Sequence, residues 1–408
     1  MNRLLKYFKG DPVIWAMLVV LAVVSILVVY SATGTLAYSK YHGETFRFLL
    51  KQLFFVFSGV GIAYVVHLLD VKYYQKMSKV LVWLSIPLLV LTMAMGANLN
   101  DAARWISIGG VTFQTSDFAK VALIMYVAHM LAVHQNDIKD WRVYAKIIAV
   151  VGVICLIILP NNFSTAAMLG LVCVVLMFIG RVSTKHLLIT GAGAVALFVI
   201  FVFVAQLTGF QKHRIATWEK RYHTFVGDSK AKKATKDDTF QADQSKIAVA
   251  TGGIFGKGPG NSTQRNYLPH PYSDFIYAII IEEYGLIGGS IILLIYLALL
   301  YRAGVIVKKT DKTYPAFLTM GLILLLVVQA LINMGVAVGV FPVTGQTLPF
   351  VSMGGSSIWM TGAVFGLIQS ATRQIDAPKS SSDGGDAKKK KEEPSSEVDE
   401  HKEELVNE

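Results

Sequence analysis

Long apolar runs dominate the chain, and short polar or charged stretches separate them. A helix that crosses the roughly 30 Å hydrocarbon core of a bilayer needs about 20 apolar residues. By that measure the sequence predicts ten transmembrane helices. They lie near residues 13–31, 48–69, 79–95, 118–134, 143–159, 163–180, 186–206, 275–301, 314–340 and 350–372. The fold class that we expect is an all-α polytopic membrane protein.

Lysine and arginine in the short loops orient these spans, because short loops rich in positive charge stay on the cytoplasmic side. Such residues precede the first span and follow the second, fourth, sixth and eighth, whereas the intervening short loops have few. The pattern predicts that both termini are cytoplasmic. It also predicts a large outer loop, about residues 207–273, between the seventh and eighth spans.

Composition divides the chain into a membrane domain, residues 1–375, and a tail, residues 376–408. Charged residues are 16% of the chain, against roughly 25% in a soluble domain, which excludes a soluble enzyme. The net charge is +11, but the tail has 6 Lys and 11 acidic residues (−5), which leaves +16 on the domain. The tail has few apolar residues, so we expect it to be disordered in the cytoplasm. The positive charge is distributed between apolar runs and does not indicate nucleic-acid binding.

Polar residues cluster where the chain enters the fourth span from the outer side. Arg104 and Trp105 lie in the preceding loop, although an Arg beside a Trp is also typical of a membrane interface. Gln114 follows. Asp117 and Lys120 are three residues apart and so share one helix face at the mouth of the span. Charges in such a place pair with each other or line a polar cavity, and the sequence leaves both readings open.

The outer loop has 11 basic and 5 acidic residues, a net charge of +6 that suits an anionic ligand such as a diphosphate. Arg214 and Lys257 are candidate contacts, and the glycines around Lys257 allow close approach of the backbone to an anion. A nucleotide-binding P-loop is excluded because Gly258, not Ser or Thr, follows Lys257. The run Lys230–Lys236 is typical of a solvated loop.

Acidic residues mark the eighth span. Asp274 lies at its outer start, and Glu282 and Glu283 follow eight and nine residues later in an otherwise apolar helix. Acids within a span indicate function by default, although an Asp at a helix start is also an ordinary N-cap.

The last outer loop is rich in Pro and Gly and leads through Ser352 to Ser356 and Ser357. Irregular backbone at membrane depth is tolerated only within protein or around a cavity. The two serines therefore lie where helix amides can meet an anion.

With these stretches, the chain resembles the SEDS family (shape, elongation, division and sporulation) of bacterial wall synthesis, from about residue 10 to 372. The motifs that carry the resemblance are Arg104-Trp105-Ile106, Phe113 to Lys120, Gly252 to Gly260 with Ser262 and Gln264, Asp274-Phe275-Ile276 with Glu282 to Gly285, and Pro342 to Ser357. Two departures are Asp117, where the family usually has Glu, and Asn162, where it usually has Asp. The second makes a catalytic role at Asn162 unexpected.

The resemblance implies a peptidoglycan glycosyltransferase that polymerises lipid II, an undecaprenyl-diphosphate-linked disaccharide-pentapeptide, at the outer face of the bacterial cytoplasmic membrane. The cell-division branch is the closer match, and the elongation branch, with the same chemistry, is the alternative. Asp274 is implied as the general base. The implied substrate-binding residues are Arg104, Trp105, Gln114, Asp117, Lys120, Arg214, Lys257, Ser262, Gln264, Glu283, Ser352, Ser356 and Ser357.

The resemblance also implies partners: a class B penicillin-binding protein, which is a transpeptidase, and other membrane proteins of the division septum. The sequence has no metal-site spacing, but a divalent cation at the diphosphate stays open. A lipid II flippase or other transporter and a non-catalytic scaffold are the alternative functions. A transporter predicts a polar path through the whole bilayer, whereas the ionisable residues here concentrate on the outer side.

Overall fold

Eleven α-helices and one small sheet make up the described part of the chain. The structure is a computed structural model, and it describes residues 9–40, 45–95, 97–99, 102–108, 111–208, 236–268 and 271–376. The helices are α1 (Pro12–Lys40), α2 (Thr45–Leu68), α3 (Val71–Met95), α4 (Thr115–Val133), α5 (Trp141–Ile158), α6 (Phe163–Ile179), α7 (Thr184–Thr208), α8 (Lys236–Gly252), α9 (Ile276–Lys308), α10 (Thr313–Ala337) and α11 (Ser356–Asp376). The strands are β1 (Ala97–Leu99), β2 (Ala102–Ile108) and β3 (Val111–Gln114).

Each of the ten predicted spans corresponds to a helix, and α8 is an additional helix in the predicted outer loop. Seven helices of the described part, α1 to α5, α9 and α10, are long and apolar enough to cross a bilayer, and α6 is a shorter apolar helix. The prediction of a helical polytopic membrane protein is confirmed. The sheet is an addition to it: β1, β2 and β3 pair antiparallel in that order, in the stretch predicted as a loop between the third and fourth spans.

The last predicted span begins later than expected. Hydropathy placed its start at residue 350, but α11 begins at Ser356 and residues 349–355 are not helical. The reason is local: Phe350 and Gly355 both adopt positive φ angles, 64° and 48°, which a helix cannot include. An apolar composition does not distinguish such a buried turn from a helix.

Helices α4 and α10 form the centre of the bundle. In each, 78% of the most apolar window is buried, against 28–44% in the other spanning helices. These two helices pack against each other and against α6. Polar side chains on α4 and α10 therefore face protein and not lipid, which is where ionisable residues are tolerated within a membrane.

Ion pairs hold the helix ends together on the predicted inner side. Arg302 near the end of α9 pairs with Asp11 (2.6 Å), and Asp11 Oδ1 also accepts a hydrogen bond from the first turn of α1. Gln369 of α11 donates to the Asp11 backbone oxygen (2.9 Å). Arg373 of α11 pairs with Asp70, between α2 and α3, and donates to the backbone oxygen of Leu68 at the end of α2. The start of α1 and the ends of α2, α9 and α11 thus meet at one face.

Helix α9 is interrupted at Gly285, whose φ of 69° and ψ of −173° are not helical. The segment that follows α8 pairs with the backbone at this break. The four hydrogen bonds run from Lys257 N to Glu282 O (2.9 Å), Gly258 N to Glu283 O (2.9 Å), Leu286 N to Gly253 O (2.9 Å) and Ile287 N to Ile254 O (3.3 Å). They satisfy backbone groups that the break removes from the helix, which is required where water is scarce.

Candidate active site

Asp274 lies in the turn before α9, one residue ahead of the N-cap at Phe275. Its Oδ1 accepts a hydrogen bond from Ser273 Oγ (2.9 Å), and its backbone oxygen accepts one from Asn333 Nδ2 of α10 (2.9 Å). The side chain of Asp274 is partly exposed, whereas every residue from Phe275 to Glu283 is buried. The turn therefore presents a carboxylate to the exterior while a buried amide holds its backbone from behind.

The last outer loop braces the same turn. Ser352, which is 2% exposed, donates to Ser273 O (2.7 Å) and accepts from Leu348 N (2.8 Å). Met353 N donates to Tyr272 O (2.9 Å). Ser352 thus joins the loop to the turn that carries Asp274. Its predicted contact with substrate stays a prediction.

Two amides of α10, Gln329 and Asn333, are one helical turn apart and extend this bracing. Asn333 Nδ2 also donates to Gln346 O (2.7 Å), and Gln346 Nε2 donates to Thr165 Oγ1 at the start of α6 (2.6 Å). Gln329 Nε2 donates to Thr347 O (3.0 Å). Sequence reasoning missed these residues, although two amides four apart in an apolar span are a signal of hydrogen bonds between helices.

Asp117 and Lys120 form the ion pair that their spacing predicts, with 2.8 Å between Asp117 Oδ1 and Lys120 Nζ. Both side chains are less than a tenth exposed. Lys120 Nζ also donates to Gln329 Oε1 (3.1 Å). The first turn of α4 favours the acidic partner because the positive end of the helix dipole lies there. The pairing is confirmed, and a role of either residue toward substrate stays a prediction.

The serines at the start of α11 join the same region. Ser356 Oγ accepts from Gln114 N (3.3 Å), and Ser357 Oγ lies 3.3 Å from Thr347 Oγ1. Gln114 Nε2 donates to Ser116 Oγ (3.0 Å). The end of β3, the start of α4, the last outer loop and the start of α11 therefore form one polar network.

Two predicted cations cannot be placed. Trp105 lies opposite Gln114 in the β2–β3 ladder, and the backbone of Arg104 lies beside it in β2. The side chain of Arg104 and all of Arg214 lie outside the described residues. Their contacts with a diphosphate stay predictions.

Lys257, Ser262 and Gln264 converge on one buried carboxylate, that of Glu282, which is 0% exposed. Its Oε1 accepts from Lys257 Nζ (2.6 Å) and from Thr263 N and Oγ1 (3.1 and 2.8 Å). Its Oε2 accepts from Ser262 Oγ (2.5 Å) and Gln264 N (3.2 Å). These predicted substrate contacts thus already have a partner within the protein, which sequence spacing did not indicate.

Glu283 faces the other way, toward α1. Its Oε1 accepts from Ser31 Oγ, and the Ser31 backbone oxygen accepts from Arg265 Nη1 (2.9 Å). Glu283 therefore joins α9 to α1, and its predicted substrate contact stays a prediction.

A small cleft lies beside this network, between α3, the start of α4 and the α5–α6 hairpin. Its lining residues are Leu89, Thr92, Thr115, Ser116, Ile157, Ile158, Asn161 and Asn162. Across the described ranges, no group of three or more His, Cys, Asp or Glu is placed to hold a metal.

A bundle of long apolar helices, with a buried ion pair and amides on its central helices beside the Asp274 turn, defines an integral membrane protein with a polar site at that end. The family model described as "Cell cycle protein" (FtsW/RodA/SpoVE) matches residues 11–376, and the chain belongs to this family. It is 32% identical over 376 residues to Stage V sporulation protein E of Bacillus subtilis, covering 90% of this chain and 98% of that one. It is 33% identical over 372 residues to a probable peptidoglycan glycosyltransferase FtsW of Trichlorobacter lovleyi, covering 90% and 93%.

Solved structures share the fold. A chain of a peptidoglycan synthase complex, in a study of how polymerization and crosslinking are coordinated, superposes with a TM-score of 0.70 at 24% identity, over 90% of this chain and 99% of that one. The rod shape determining protein RodA of Thermus thermophilus superposes with a TM-score of 0.62 at 22% identity, over 90% and 98%.

Proposed function

We propose that the protein is a peptidoglycan glycosyltransferase that polymerises lipid II at the outer face of the cytoplasmic membrane, with Asp274 as the general base. The observation that carries the proposal is the Asp274 turn: a partly exposed carboxylate on a backbone held by Asn333 and Ser352. The names of relatives in the same family, which include peptidoglycan glycosyltransferases, support the reaction class.

The chemistry requires few groups. The 4-hydroxyl of one sugar attacks the anomeric carbon of another, and the lipid diphosphate leaves with inversion. A carboxylate within hydrogen-bond reach of the attacking hydroxyl accepts its proton. The Asp274 carboxylate suits this role because its hydrogen bond from Ser273 and its fixed backbone orient it before substrate binds.

Developing charge on the leaving diphosphate requires cations and hydrogen-bond donors. Arg104, Lys120 and Arg214 are our candidates for the cations. Ser356 and Ser357 begin α11, where backbone amides at a helix start favour an anion. A divalent ion bound through the diphosphate oxygens is compatible with this set and does not require a dedicated protein cage.

We place the protein at the division septum with a class B penicillin-binding protein that crosslinks the new strands. The relatives named FtsW, and the fold shared with a chain of a complex studied for polymerization and crosslinking, support this partner. The elongation role is the alternative and uses the same chemistry.

A polymerisation assay tests the reaction class. Purified protein with its transpeptidase partner and lipid II in detergent is expected to release undecaprenyl diphosphate and to form glycan strands. A flippase instead moves lipid II across vesicles and forms no strands. Translocation without strand formation would contradict the proposal, and strand formation that does not require this protein would contradict it equally.

A further inference from the structure

Glu282 is the centre of a compact anchoring site that the proposed chemistry does not use. It accepts five hydrogen bonds, all from residues within 257–264. The same segment begins with the backbone pairing at the α9 break, so backbone and side chains fix it together. A buried carboxylate with this many donors is a rigid attachment point, because breaking it leaves an uncompensated buried charge.

The anchored segment reaches the residues on both sides of Asp274. After the 3₁₀ turn at Gln264–Asn266, Leu268 is buried in a cluster with Phe275, and Tyr272 packs against the same cluster. Helix α9 then returns from Phe275 to Glu282. The hydrogen bonds to Glu282 therefore close a loop of chain that contains the Asp274 turn.

The ammonium group of Lys257 has its hydrogen-bond partners within this site. Its Nζ lies 2.6 Å from Glu282 Oε1 and donates to Thr263 Oγ1 (2.9 Å). Its charge is balanced by the fully buried carboxylate, and its side chain is 28% exposed. Both of these partners belong to the protein itself.

We propose that Glu282 and Lys257 are positioning residues: together they lock residues 257–264 against α9 and so hold the Asp274 turn in its reactive geometry. The inference rests on the proposed function, since it assigns Asp274 the chemistry. It differs from the expectation that Lys257 binds the substrate's diphosphate, because Lys257 acts here through Glu282 and not on the substrate.

A double-mutant cycle separates these two roles of Lys257. Lys257→Met, Glu282→Gln and the double variant are compared with wild type for kcat and KM of lipid II polymerisation, with the transpeptidase partner present. A small misplacement of a catalytic group costs up to about 100-fold in rate. We therefore expect each single variant to lower kcat about 10- to 100-fold with KM nearly unchanged. The double variant is expected to be no slower than the slower single variant, because each substitution already breaks the same Lys257–Glu282 contact.

Lys246→Met is the matched control, since Lys246 is an exposed cation on α8, and its kinetics are expected to match wild type. Lys257→Arg restores the cation and is expected to recover most of the rate. A raised KM in Lys257→Met with kcat unchanged would assign Lys257 to substrate binding and overturn the proposal. A double variant whose loss of kcat equals the product of the two single losses would also overturn the proposal, because the residues would then act independently.

Hydrogen–deuterium exchange gives a readout that does not require catalysis. In Glu282→Gln the amides of Thr263 and Gln264, which donate to the Glu282 carboxylate, are expected to lose protection, as are those of residues 272–275. Unchanged protection would overturn the lock, and lost protection with wild-type kcat would overturn the positioning role. Lys257→Met, at a partly exposed site, keeps the test available if Glu282→Gln does not fold. If Asp274 proves dispensable, the exchange result still reports on the lock separately.

Discussion

Substituting Ala for Gly285 tests the interruption of α9 and its pairing with the segment after α8. Gly285 lies in a region of φ and ψ that is essentially restricted to glycine, and occupying it with another residue costs about 1–3 kcal/mol. The added Cβ would lie 2.1 Å from Ile254 O and 2.5 Å from Gly256 N, so the segment must move. Loss of two of its backbone hydrogen bonds adds about 2 kcal/mol. The sum is about 4 kcal/mol.

Thermal unfolding in detergent measures this effect. At roughly 2 °C per kcal/mol for a chain of this size, Gly285→Ala is expected to lower Tm by about 8 °C and to impair polymerisation. The control is Gly304→Ala in the same helix, where a Cβ meets open space and helix propensity favours Ala. Equal Tm values for the two variants would refute the pairing of this segment with α9.

Three further substitutions compare the polar network around Asp274 with the Arg302–Asp11 ion pair on the predicted inner side. Lys120→Met leaves Asp117 buried without its cation and is expected to destabilise by about 3–5 kcal/mol; a Tm equal to wild type would show that the pair is not buried. Asn333→Ala removes the donor to the Asp274 backbone and is expected to lower the polymerisation rate about 10-fold or more, whereas an unchanged rate would contradict its bracing role. Arg302→Met unpairs Asp11 on the inner side and is expected to lower Tm by several degrees with kcat per folded molecule retained; a large kcat loss would link the inner face to catalysis.

The number of spans and their positions along the chain follow from local information, so the sequence predicts them well. Apolar length alone indicates the helices, because backbone in lipid must satisfy its hydrogen bonds internally. The pair Asp117 and Lys120 follows in the same way, since spacing of three on a helix brings the side chains together.

The anchoring site at Glu282 depends on tertiary structure and is not readable from spacing. Lys257 and Glu282 are 25 residues apart in the chain, and they meet where the segment after α8 pairs with the backbone at the α9 break. Hydropathy describes residues 275–301 as one continuous helix. The sequence shows Gly285 but does not show that the helix breaks there. The residues that pair with the break lie in a separate segment, after α8.

The bracing of Asp274 shows the same limit. Its motif indicates an acidic residue at an outer helix start, while Asn333 and Ser352, which hold its turn, come from two later parts of the chain. Their hydrogen bonds go to backbone oxygens, which any residue provides, so the sequence does not identify the residue that each of them contacts.

The most direct test of the central claim compares wild type, Asp274→Asn and Asp243→Asn in lipid II polymerisation with the transpeptidase partner. Asp243 is an exposed acid on α8 and receives the same substitution. The account predicts strands from wild type and Asp243→Asn, and none from Asp274→Asn at equal folded amount. Strands formed by Asp274→Asn at the wild-type rate would contradict the assignment of Asp274 as the base.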